Sequence, residues 1–267
     1  MKYTAIAKAP WSPSLKESKK MSNEITYRAS KLALIFTKEQ LKEPTAFFWT
    51  LLSPSAVFYL LNYSRGQIPP YNLSYIESTS WFYAYISSNV AFFGLSFYII
   101  GRRESGFTRS FIYKPEGKLI FLLAKFISYS LISILYCSVF YCLTRLAFGS
   151  PNTNEVFLIM ASFYFCFILF SIPALLLTLL PTGFQTANTL FSIISFAMLI
   201  SGIYGISAQL QSDSFIQLLN PLWIASEIMS KGLWQRPQTA VLILSFFTCA
   251  FFITLRHLRI NPIWSRY

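Results

Sequence analysis

From residue 46 onward the chain alternates long apolar runs with short polar breaks, the runs covering 46–63, 81–100, 119–143, 156–180, 184–206 and 240–255. Each lies near the roughly 20 residues that a helix needs to cross about 30 Å of hydrocarbon. The apolar residues are unbroken within a run and do not recur at the period of a half-buried helix or strand. The pattern predicts an all-α membrane protein with six transmembrane helices. Pro54 falls in the first run and Pro173 in the fourth, and each is expected to bend its helix.

Ahead of these runs, from Asn23 to Glu43, the pattern changes. Ile25, Ala29, Leu32 and Phe36 fall on one helical face, with Glu24, Lys31, Lys38 and Lys42 on the other. This predicts an N-terminal amphipathic helix lying in the membrane interface, its stripe at the acyl boundary and its ammonium groups at lipid phosphates. A helix packed on a soluble partner is the competing reading. Residues 1–22 hold Pro10, Pro13 and several Ser and Lys, which predicts a disordered tail. The transmembrane domain then covers 23–258, and 259–267 forms a second tail.

Ser207 to Gln238 is too polar to span and too apolar for an ordinary loop. Two readings fit: short re-entrant helices meeting near Asn220-Pro221 before the last span, or an aromatic-belt loop at the interface.

Composition agrees with the pattern, since 12% charged residues is about half the usual share of a soluble domain, roughly 25%. The net charge of +12 raises nucleic acid as a partner, but placement argues against it. Nine Lys and Arg precede the first run, five lie between Arg102 and Lys118, and three follow from Arg256. Arg65, Arg145, Lys231 and Arg236 share the opposite side. The bias places both termini and the 102–118 loop in the cytoplasm of a cell whose cytoplasmic membrane holds the protein. Lys125, inside the third run, is expected to snorkel towards that side.

Catalytic chemistry is absent from the sequence. All ten acids lie outside the runs or at their edges, so no carboxylate is placed for proton or sodium coupling. There is no H-E-x-x-H, no intramembrane Ser-His pair and no nucleotide-binding loop. The four cysteines form no C-x-x-C, and with a single histidine no metal site is readable. The chain is expected not to be an enzyme, and energy for any transport has to come from a partner.

The loop between the second and third runs reads Gly101-Arg102-Arg103-Glu104-Ser105-Gly106-Phe107-Thr108, then Ser110-Phe111-Ile112-Tyr113-Lys114-Pro115. It resembles the loop of type-2 ATP-binding cassette export permeases, in which a basic-acidic-x-Gly pattern opens a short helix before a proline and the next span. The amphipathic N-terminal helix, the six runs and the late Asn220-Pro221-Leu222-Trp223 extend the resemblance over residues 23–257. Phe107 stands where that family often has Thr. The resemblance implies a permease subunit that forms a homodimer and binds two cytoplasmic ATPase subunits, which carry the ATP and Mg; this chain itself binds no cofactor. Membrane lipids surround it. Arg102, Arg103, Glu104, Ser105, Gly106 and Phe107 would form the ATPase-coupling loop, the arginines anchoring it at headgroups and Glu104 meeting a basic partner surface. Asn220, Pro221, Leu222, Trp223 and Glu227 would belong to an outer lid, and the path would run between the first and fifth spans. Phe48, Trp49, Tyr59 and Phe196 are candidates for lining that path, or for packing. An amphipathic peptide, antibiotic, lipid-linked molecule or polysaccharide fits such a path. A non-transporting membrane scaffold is the alternative.

Overall fold

The computed structural model describes residues 15–64, 74–150, 152–207, 220–232 and 237–263. Every element among them is helical. Helix α1 is Leu15–Leu41, so the helix begins inside the expected tail; residues 1–14 lie outside the described ones. Helix α2 covers 44–64 as Pro44–Phe47, a π-helical turn Phe48–Leu52, and Ser53–Ser64. The π turn explains how the helix tolerates Pro54. Within it the Ser53 amide reaches back five residues to the Phe48 carbonyl, which widens the backbone just before a ring that would otherwise crowd the preceding turn.

Among the described residues, four helices are long and apolar enough to cross a membrane: α3, Tyr75–Glu104; α5, Pro115–Phe148; α6, Thr153–Leu177; and α9, Pro237–His257. Between them lie α4, Phe107–Phe111, then α7, Phe184–Ser207, and α8, Pro221–Lys231. The first and fifth predicted spans fall on α2 and α7, whose apolar stretches Phe48–Leu61 and Phe184–Ile200 lie within the described residues. Long apolar helices identify a membrane protein, since all backbone polar groups are satisfied within each segment.

Helix α3 is the centre of the bundle. In its apolar window 72% is buried against protein, against 17% for α9, most of whose surface this chain leaves uncovered. The α3 core residues Tyr83, Ala84, Ile86, Ala91, Phe92 and Leu95 are buried, interleaved with Ser87, Ser88 and Ser96. Small hydroxyl residues let neighbouring helices approach, and Ser87 and Ser88 return their hydrogens to the carbonyls of Ala84 and Tyr85. An edge-to-face aromatic cluster of Phe58, Phe82, Tyr83, Phe140 and Phe163 ties α2, α3, α5 and α6 together. α6 runs through Pro173 without ending.

The stripe on α1 exists, but protein covers it. Ala29, Ala33, Phe36 and Gln40 are buried, and α1 packs chiefly on α5 of the same chain. Phe36 meets Phe121 edge-on, Thr37 shares a 3.0 Å hydrogen bond with Ser128, and Tyr129 donates to Gln40 at 2.8 Å. The large hydrophobic residues left outward among the described side chains of α1 are Tyr27, Leu34, Ile35 and Leu41. Lys125 does not snorkel: it is 2% exposed, with Nζ 3.7 Å from the centre of the Phe36 ring and 5.2 Å from that of Tyr98. The aromatic faces of α1 and α3 supply the negative potential that water would otherwise provide.

Candidate functional site

The segment 101–115 forms a helix end, a left-handed glycine, a short helix and a proline start. α3 runs through the arginines to Glu104, and Gly106 adopts φ +77°, where a Cβ is disfavoured. α4 follows, Ile112 breaks it, Lys114 is extended, and Pro115 occupies the first turn of α5, where a missing N–H is harmless.

The two adjacent arginines have different fates. Arg102 pairs with Glu39 of α1 and lies over the rings of Phe107 and Phe36. Arg103 is 1% exposed and does not reach headgroups. Its Nη1 donates to the carbonyls of Thr178 (3.0 Å) and Leu180 (3.2 Å), and its Nη2 donates to that of Thr182 (2.5 Å). These carbonyls follow the end of α6, whose last turn has no intrahelical donors for them and a negative dipole end. Glu104 completes the clasp. One carboxylate oxygen accepts from Arg103 Nε at 2.9 Å and the other from the Ile263 amide at 3.2 Å. The carboxylate is therefore engaged within the chain. Thr108 donates to the Ile260 carbonyl at 2.8 Å and Lys118 Nζ to that of Leu258 at 3.2 Å, so the C-terminal segment is stitched to the loop.

Phe107 packs inward, stacked on Phe111 and against Phe121. Ser105 is exposed. The outward surface of the loop consists largely of Arg109, Ser110, Tyr113 and Lys114, residues not singled out by the motif. Their signal was the polar pair facing away from Phe107 and Phe111 on a one-turn helix.

At the far end, Asn220 caps α8. Its Oδ1 accepts from the Leu222 amide at 3.0 Å and its Nδ2 donates to the Met198 carbonyl of α7 at 3.2 Å, with Pro221 in the first turn. Leu222 is buried and Trp223 half-buried, while Glu227 pairs with Lys231 at 2.5 Å on the outer face. α8 packs mainly on α3 and α6. The first of the two expected short helices lies outside the described residues.

Between α2, α3, α5 and α7 lies a cavity of about 670 Å³. Its lining mixes aromatic rings with carboxamides and hydroxyls: Phe93 and Phe97 beside Asn89, Asn188, Ser192 and the tyrosines 85, 98, 129 and 136. Glu43 at its edge accepts a hydrogen bond from Tyr98 and is the only carboxylate among the described lining residues. Both π-helical turns, Phe48–Leu52 and Val90–Ser96, border this cavity; such turns often mark functional positions. Gly94 is required here, because a Cβ would come within 2.6 Å of the Tyr129 ring. Of the aromatics expected along a path, Trp49 lines the cavity. Tyr59 instead donates to the Leu143 carbonyl at 2.5 Å, and Phe48 and Phe196 are exposed and do not belong to the lining.

No protein-family profile matches the chain. It is similar to Protein McbE of Escherichia coli, with 28% identity over 241 residues, covering 88% of this chain and 98% of that protein. The likeness thus extends over nearly the whole of that protein. The apolar helices together with this likeness support a membrane protein.

Proposed function

We propose that the chain is the permease subunit of a type-2 ATP-binding cassette exporter, six spans with both termini in the cytoplasm of the cytoplasmic membrane. The observation that carries this reading is the cavity shared by α2, α3, α5 and α7. Its lining is amphipathic and nearly uncharged, suited to an amphipathic cargo and unsuited to a small ion, which needs a ring of carbonyls or charges. Asn89 and Asn188 make no side-chain hydrogen bond among the described residues, leaving their amides to a cargo or to water. The outward face of α7 carries Gln185, Asn188 and Ser192, polar groups that lipid does not satisfy and a second copy or a water-filled path does. The loop clasp gives a separate ATPase a rigid element to press on.

The test is co-expression with the ATPase subunit encoded nearest to this chain. ATPase and permease copurify in equal amounts, ATP hydrolysis is found only with the ATPase present, and export requires both. A chain that associates with no ATPase in mild detergent contradicts the proposal.

A further inference from the structure

A second groove, of about 580 Å³, lies at the loop end of the bundle between α1 and the start of α5, apart from the cavity just described. Its interior is apolar, formed by Leu32 and Ile35 of α1 and by Phe111 and Ile120 across from them. Its rim is basic. Arg28 and Lys31 stand one turn apart on α1, and Lys114 faces them from the cap of α5, with Glu116 as the rim carboxylate. Arg28 is already paired with Glu24 at 2.5 Å. Lys31 leans over the Tyr27 ring at 4.5 Å, and neither Lys31 nor Lys114 has an anionic partner among the described residues.

We infer that this groove is a binding site for one anionic phospholipid, its phosphate between Lys31 and Lys114 and an acyl chain along Ile35, Phe111 and Ile120. Charge complementarity selects the headgroup, because ammonium groups at the rim favour a net negative lipid over a zwitterionic one. The apolar interior selects a lipid over free phosphate, which would leave that surface wet. Two further features place the groove at the membrane surface. Ile35 is 60% exposed beside Leu34, so the outer face of α1 has acyl chains as its natural neighbours, and Tyr113 at the groove mouth is 85% exposed, the position of an interfacial aromatic anchor. The site needs only a membrane protein and does not depend on the permease reading.

The experiment is native mass spectrometry of the delipidated full chain titrated with phosphatidylglycerol or phosphatidylethanolamine. Wild type retains phosphatidylglycerol at about tenfold lower concentration. The exposed double variant Lys31→Glu/Lys114→Glu loses that preference with an unchanged melting temperature, and Ile35→Gln weakens both lipids while keeping the preference. Equal retention of the two lipids by wild type, or a preference that survives the double charge reversal, overturns the site. Displacement of the lipid by inorganic phosphate overturns it in favour of a free-phosphate site. Export activity does not enter any arm, so failure here is distinct from failure of the transport proposal.

Discussion

Replacing Arg103 by alanine removes a guanidinium that is 1% exposed and holds three carbonyls and one carboxylate. The carbonyls of Leu180 and Thr182 sit in partly exposed residues and regain water, whereas Thr178 is buried. The cost is therefore dominated by one orphaned carbonyl, about 1–3 kcal/mol, and by Glu104 left beside it without its counter-charge. Breaking a buried ion pair costs about 3–5 kcal/mol in comparable sites, and we take that range for the whole change. For a chain of this size it lowers the melting temperature by roughly 6–20 °C. Thermal unfolding in mild detergent, followed by thiol-reactive fluorescence, reads the shift. Arg103→Met/Glu104→Gln recovers part of the loss, because no unpaired charge remains. A melting temperature for Arg103→Ala within about 2 °C of wild type refutes the clasp. The same geometry predicts that Glu104→Arg lowers membrane abundance, since it sets a second guanidinium against Arg103; a free docking carboxylate would predict normal abundance.

Gly94→Ala forces the Tyr129 ring aside and costs about 1–3 kcal/mol, read as a lower melting temperature; an unchanged value shows that the two helices do not approach this closely. A Cβ at Gly106 meets no neighbour within 4 Å, so Gly106→Leu is strained chiefly by its left-handed backbone, about 1–2 kcal/mol, and Gly106→Asn is tolerated better; equal melting of the two variants contradicts this. Lys125→Met is within about 1 kcal/mol of wild type because it removes a buried charge together with its aromatic partners' benefit, while Lys125→Glu, near Glu39 and Glu43, lowers membrane abundance severalfold. In a cysteine-free background, Asn72→Cys and Ser212→Cys react with an impermeant thiol reagent in intact cells and Lys20→Cys and Arg109→Cys do not; the reverse pattern at either pair overturns the proposed orientation.

Much of the helical layout was legible because unbroken apolar runs admit few alternatives in a bilayer. What the runs conceal is direction. In a helix apolar on every side there is no periodic stripe to show which face meets protein, so the sequence does not distinguish α3, the centre, from α9, the periphery. The arginines make the same point: Arg102 and Arg103 are chemically identical neighbours, and only the arrival of the α6 end from 75 residues away decides which one is buried. The stripe on α1 was legible, but its partner was not, since Ser128 and Tyr129 lie on a helix without amphipathic pattern. The cavity had one usable signal. Tyr85, Asn89, Phe93 and Phe97 recur at intervals of four, a polar amide within an aromatic face, which a purely lipid-facing or purely packed helix has no reason to keep.

Loop and cavity are joined by a short chain of contacts. Arg102 holds Glu39; one turn further along, Glu43 accepts from Tyr98, which lies one turn before Arg102 on α3. The Tyr98 ring and Glu43 both line the cavity. A tilt of α4 therefore acts on α3 through the loop, on α6 and the C-terminal segment through Arg103, Glu104 and Thr108, and on α1 through Arg102. Contacts alone do not make a switch, which requires an element with two arrangements. The π-helical turns are the described elements at which a change of hydrogen-bond register would supply one. Each is a stretch of widened hydrogen-bond register, and each sits where α2 or α3 borders the cavity. In the permease reading, closure of the ATPase would load α4, and the change in helical register would widen or narrow the cavity without moving the clasp.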